Sequence, residues 1–263
     1  DVLFELDLFD THIGMRADKN ETGFEHYDSR IAKDRMLNAV DQLLTRTNRP
    51  QKAVLVFGGD IAHMDNRSNQ TERSHNLLDV DTRFAKVVDY VSTACVEAVE
   101  MVAAVAREVE VVVVKGNHDW HTCVWIQQVL KMLYANSPNI TVQLQDTDRK
   151  SMQWGDNMLV WAHGDSIKAA KWPQIIAAEF PQLWGNTRHR YLKLGHVHHA
   201  KVIAPVVVDE QPGLHVEFLS ALCPIDAWHA AAGFVGASKG ANAFEYHKKH
   251  GVITRYYHTP EVH

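Results

Sequence analysis

Cysteine is scarce in this chain of 263 residues: only Cys95, Cys123 and Cys223 occur, widely separated and odd in number. No CxxC pair exists, which argues against a zinc ribbon or a redox dithiol and leaves the thiols the role of small buried residues in a reducing compartment. No apolar run approaches the length of a membrane span, and no secretory leader is visible, so no membrane partner is expected. The chain starts at Asp1 rather than methionine, so removal of an upstream segment stays open, and the expected location is cytoplasmic. Basic charge is not in excess either. Lys and Arg total 27 against 32 Asp and Glu, a net charge of -5, which excludes a histone-like polyanion binder but not a local basic groove. Repeats, low-complexity tracts and a composition break are missing, so a single domain over 1–263 is expected. At 46% hydrophobic residues a chain of this length can bury a core without disulfides or a structural metal.

Histidine, by contrast, is abundant at 17 residues and motivates a search for metal-ligand spacing. Val2–Phe9 reads as a strand ending in the polar turn Asp10-Thr11-His12. Ser29 offers an N-cap to a helix with apolar positions at Ile31, Met36, Leu37, Val40, Leu43 and Leu44. Ala53–Phe57 and Val111–Val114 are continuous apolar runs, as expected of strands covered on both faces. Between them, 64–80 reads as a long polar loop, and Phe84 to Val102 as a helix with one apolar face. Another helix carries Val124, Trp125, Val129, Leu130 and Leu133. This first half alternates strand and helix, the pattern of parallel βαβ units. Beyond it, short β-like runs at 140–144, 158–162, 191–195, 201–208 and 214–219 surround one helix near 167–180, and strands close the chain near 242–247 and 252–258. The expected fold is α/β: two mixed sheets packed face to face and flanked by helices.

Five segments pair glycine or a turn with Asp, His or Asn, each just after an expected strand. They are Asp10-Thr11-His12, Gly59-Asp60, Gly116-Asn117-His118-Asp119, His163-Gly164-Asp165 and Gly195-His196-Val197-His198. Loops at the carboxyl ends of strands in open α/β sheets converge on ligands. Asp-x-His and His-x-His send two side chains to the same side, and the glycines allow positive φ and close backbone approach. Carboxylate, imidazole and amide oxygen suit borderline divalent metals, and without cysteine they do not make a structural zinc site. One such triplet is a common accident. Five in order, each at a strand end, are not.

The ordered set resembles the calcineurin-like metallophosphoesterase superfamily, with D-x-H, GD, GNH[DE], a lone His and GHxH filled from Asp10 to His198. The closing segment with Pro224, Asp226, Trp228 and His229 is similar to members from phages and prophages. The resemblance implies an αββα sandwich and a phosphate ester hydrolysed by a metal-activated hydroxide. It assigns Asp10, His12 and His198 to one divalent ion and Asn117, His163 and His196 to a second, with Asp60 bridging both. Mn is the first expectation for the two metals, with Zn, Fe, Ni or Mg as alternatives. His118 is implied as the general acid, and Asp119 is expected to support the loop.

His63, in Gly59-Asp60-Ile61-Ala62-His63, resembles the Gly-Asp-x-x-His of Mre11-type nucleases and is a second candidate catalytic residue. It tilts the substrate expectation toward phosphodiesters and toward DNA. Arg188, His189, Arg190, Lys193, Arg149 and Lys150 are candidate phosphate contacts, and Trp172, Trp184 and Trp228 candidate stacking residues. A small-molecule phosphatase or nucleotide pyrophosphohydrolase is the alternative reading, and a non-catalytic protein-binding scaffold the third. Oligomeric state is not legible.

Overall fold

The computed structural model describes residues 2–72, 74–165, 167–196, 206–211 (main chain only), 213–233, 236 and 238–262. The strands are β1 (Val2–Leu8), β2 (Lys52–Gly58), β3 (Glu108–Val114), β4 (Ile140–Val142), β5 (Arg149–Trp154), β6 (Asn157–Ala162), β7 (His189–Leu194), β8 (Val206–Gln211), β9 (Leu214–Leu219), β10 (Ala241–His247) and β11 (Gly251–His258). The helices are α1 (Lys19–Thr22), α2 (Ser29–Leu44), α3 (Phe84–Val105), α4 (Trp120–Leu133), α5 (Trp172–Glu179), α6 (Pro181–Asn186) and α7 (Ala227–Ala231), with a 3-10 turn at Ala169–Lys171.

The strands form two mixed sheets, ordered β11-β10-β1-β2-β3-β4 and β5-β6-β7-β9-β8. In the first, β1 to β4 run parallel and β10 antiparallel to β1; in the second, β6, β7 and β9 run parallel. Alternation along each strand distributes the side chains. On β2, Val54 and Val56 face the second sheet, while Ala53, Leu55 and Phe57 join the helix-side core with α2, α3 and α4. On β6, Leu159 and Trp161 point between the sheets, while Met158, Val160 and Ala162 pack against Trp172 and Ile176 of α5. Each fully buried aliphatic side chain contributes about 1.5–3 kcal/mol of transfer free energy. The layers therefore run helix, sheet, sheet, helix, as expected.

Several local expectations are corrected. Asp28, not Ser29, caps α2: its side chain accepts from the Ile31 N–H at 2.8 Å, and Ser29 is the first helical residue. Strand β5 was not expected, because its sequence RKSMQW mixes charged and apolar residues. The single helix near 167–180 is a 3-10 turn followed by α5 and α6. Of the run 201–208, residues 201–205 lie outside the described residues, and the strand there is Val206–Gln211.

The inter-sheet layer also holds buried charge. Lys193 is fully buried and donates to Glu217, which is also ion-paired with Arg255 at 2.7 Å. Glu5 accepts from Trp161 Nε1 and from the Tyr246 hydroxyl. Burial, with Glu5 adding its charge, raises the Asp7 carboxyl well above the ordinary carboxylate range. All three cysteines are free and buried. No helix among the described residues is long and apolar enough to cross a membrane.

Candidate metal centre

All five motif segments begin within two residues of a strand end: Asp10 after β1, Gly59 after β2, Gly116 after β3, His163 after β6 and Gly195 after β7. The first three strands belong to one sheet and the last two to the other, so the site spans one end of the sandwich.

Main-chain hydrogen bonds stitch the loops together. Asp10 N–H donates to Gly59 O at 3.2 Å, His12 N–H to Asp60 O at 2.8 Å and Gly195 N–H to His163 O at 3.1 Å. Side chains cross between loops as well. The His118 N–H donates to Asp60 Oδ1 at 2.8 Å, and the His196 N–H to Asp10 Oδ2 at 2.9 Å. Asp119 accepts from the N–H groups of Gly116 (2.9 Å), Asp60 (3.2 Å), Ile61 (2.6 Å) and Ala62 (3.2 Å), so it is a loop support as the sequence suggested.

The turns hold strained backbone at the functional residues. Asp10 (φ 50°), His12 (φ 48°), Asp60 (φ 48°) and His196 (φ 65°) all adopt left-handed conformations although none is glycine. Such strain persists only where surrounding bonds impose it. Gly116 has a different requirement: a Cβ there would collide with the Asp60 carboxylate and main-chain nitrogen.

Three groups of ligand atoms each lie within 4.8 Å of one another: Asp10, His12 and Asp60; Asp60, His163 and His196; His12, His63 and His118. Asp60 belongs to two of them. Its Oδ2 lies 3.1 Å from His163 Nε2 and 3.7 Å from His12 Nε2. Asn117 Oδ1 lies 2.9 Å from His163 Nε2, and His196 Nδ1 3.1 Å from the same atom. Thus Asp10, His12, Asp60, Asn117, His163 and His196 are brought together, whereas His198 lies outside the described residues.

Two observations test this cluster as a cation site. Asp60 Oδ2 and His163 Nδ1 are buried and make no well-formed hydrogen bond. Burial alone would lower the His163 pKa, yet the charges of Asp60, Asp10 and Asp119 lift it to about 9. Burial would likewise raise Asp60, but His163, His118 and His12 hold it well below the usual range. Carboxylates and imidazoles this close together compete for the same protons, a place a cation can take, and these donors are those of borderline divalent ions. The residues fit divalent metal.

His118 sits at the rim, half-buried, with Nδ1 2.8 Å from the His63 carbonyl oxygen. That bond assigns the proton to Nδ1 and leaves Nε2 for chemistry. The His63 and His118 rings stack at 5.2 Å and 21°, and His63 Nδ1 is 3.0 Å from His12 Nδ1.

Of the candidate nucleic-acid contacts, Arg149, paired with Glu179, and Trp172 border the space beside this centre, whereas the other basic candidates lie elsewhere. Lys193 and Lys150 are buried, the latter donating to Gln145 O. Arg188, His189 and Arg190 sit at the start of β7, the opposite end from Gly195, and Arg190 is spent on Trp184, Thr187 and Gly213 carbonyls. Trp172 is core. Alternation in β7 was the available signal, since Leu192 and Leu194 face outward and therefore put Lys193 between the sheets. Reasoning from sequence also missed Asp65, which accepts from the N–H groups of His121 (2.5 Å) and Thr122 (2.8 Å) and anchors the start of α4 to the 64–80 loop. Tyr27 was missed too; its hydroxyl donates to Thr11 O at 2.6 Å, under the Asp10–His12 turn.

No known family model and no curated protein sequence matches the chain. Among solved structures it is similar to a predicted phosphoesterase from Streptococcus pneumoniae (10% identity, TM-score 0.40, covering 100% of this chain and 94% of that one). It is also similar to a Vps29 mutant from Entamoeba histolytica (13%, TM-score 0.37, 98% and 99%) and to Vps29 from Chaetomium thermophilum (8%, TM-score 0.37, 98% and 100%). At these scores the likenesses carry no argument. The site has to speak through its own geometry.

Proposed function

We propose that the protein is a two-metal phosphoesterase whose preferred substrates are phosphodiesters, DNA among them. What carries the reading is the placement of Asp60 in two adjoining ligand groups with His118 at their rim. Asp10 and His12 flank Asp60 on one side; His163, His196 and Asn117 flank it on the other. Two divalent ions bound there would supply Lewis-acid activation of water and of the phosphoryl oxygens.

The chain's own residues do the rest. Asp119 and the hydrogen bonds across the loops hold the ligands in place before substrate arrives. His118, with Nδ1–H bonded to the His63 carbonyl, presents Nε2 toward the departing oxygen and, as an imidazolium, donates the proton it needs. His63 stacks against His118 and places a second imidazole beside it, which suits a diester carrying a group on either side of phosphorus.

The test is hydrolysis of a chromogenic phosphodiester beside its matching monoester by metal-stripped protein with added Mn. Metal-dependent diester preference is expected, and His118→Ala should keep its metal content while turnover falls about 10²–10⁴-fold. Monoester preference would redirect the reading to small metabolites. Full activity in His118→Ala would remove the general-acid assignment.

A further inference from the structure

Beside the metal centre lies a cavity of about 330 Å³ whose wall shares Asn117 and His163 with the ligand groups. Its size falls at the lower end of small-molecule pockets. From Asn117 and His163 the wall continues through Lys115 and Trp120, one residue past Asp119 at the start of α4, to Arg149 and Asp165. A group attached to a phosphorus held at the metal centre would enter it directly.

The lining decides what kind of group. Lys115 is paired with Asp146 (2.9 Å) and Asp148 (3.3 Å), and Arg149 with Glu179. Both cations are thus already matched by carboxylates, which disfavours a second phosphate. Trp120 is 43% exposed, and Lys115 Nζ lies over its ring, 4.7 Å from the centroid. The carboxylate of Asp165 and the amide of Asn117 add hydrogen-bonding groups to the same wall. An aromatic face with polar edges and no spare positive charge suits a flat, neutral, hydrogen-bonding ring.

We infer that this cavity is a nucleobase subsite, with Trp120 as the stacking platform for one base of a nucleoside phosphodiester. The inference rests on the phosphoesterase reading and names its substrate class. Trp120 is a specificity residue: it engages the base rather than the reacting atoms. Base–aromatic stacking is tolerant of sequence, so recognition of a base is expected without strong preference among bases.

The experiment compares a dinucleoside monophosphate with two analogues, each lacking one base, as substrates of Mn-loaded protein, followed by chromatography. Wild type should cleave one analogue about 5–100-fold less efficiently than the parent in kcat/KM, the size of one stacking contact, mostly through KM. In Trp120→Ala the gap should close to within twofold, and Trp120→Phe should restore most of it. Equal cleavage of all three by wild type, or a gap that persists in Trp120→Ala, overturns the subsite while leaving the phosphoesterase reading standing. If wild type cleaves none of them, a second readout decides: calorimetric titration of metal-free protein with thymidine, which carries the base without a phosphate. Binding that weakens at least fivefold in Trp120→Ala supports the subsite independently of catalysis, and absence of binding overturns it.

Discussion

Asp119→Ala probes how the centre is held. Asp119 is fully buried and accepts four main-chain N–H groups, two from the stretch Asp60–Ile61 and one each from Ala62 and Gly116, joining the loops that follow β2 and β3. The bonds from Ile61 and Gly116, at 2.6 and 2.9 Å, are the strong ones; those from Asp60 and Ala62 are longer, at 3.2 Å. Burial and the charge of Asp60 raise the Asp119 carboxyl to about 7, so above about pH 8 it is a carboxylate, and hydrogen bonds to a charged acceptor contribute about 1.5–3 kcal/mol each. The two short bonds therefore account for about 3–6 kcal/mol, and water entering the vacated space moves the result toward the lower figure. That is a large share of the roughly 5–15 kcal/mol by which domains are stable. In a chain of this size it corresponds to a fall in Tm of roughly 6–24 °C. Asp60 and Asn117 sit on the freed loops, so metal content should drop as well. Urea unfolding monitored by circular dichroism, with metal analysis of the same samples, measures both. A loss under 1 kcal/mol with full metal retention would refute the account of Asp119 as the clasp.

Two further outcomes follow from the structure. Gly116→Ala puts a Cβ against the Asp60 carboxylate, so the protein should fold but lose tight metal binding, and calorimetric titration with Mn giving an unchanged Kd would contradict the close packing. Asp7 carries a carboxyl raised by burial and by Glu5, so the folded state keeps a proton that the unfolded chain releases above about pH 4. Its stabilising contribution is complete below that pH and is lost as pH rises toward the folded value. Asp7→Asn, which cannot ionise, should therefore be more stable than wild type at pH 7, with the gain shrinking toward pH 4. A variant of equal or lower stability, with the same pH dependence as wild type, would contradict the raised carboxyl.

The chain's patterning determined much of this protein. Continuous valine and leucine runs in β2 and β3 marked strands covered on both faces, and glycine with Asp, His or Asn after each run marked the loops that meet at one end. Those signals are local: period-two and helical patterning, and turn residues that tolerate positive φ. Local signals failed where side-chain type and surroundings disagree. Strand β5 reads as polar, yet Lys150 and Met152 are buried within it. Lys193 reads as a surface cation, yet lies between the sheets against Glu217, because only the register of β7 beside β9 brings the two together. The Asp119 clasp, the stacking of His63 on His118 and the cavity beside Trp120 depend on contacts between loops dozens of residues apart. Such contacts exist only once both sheets are stacked and their strand ends are aligned, which no spacing along the chain can express.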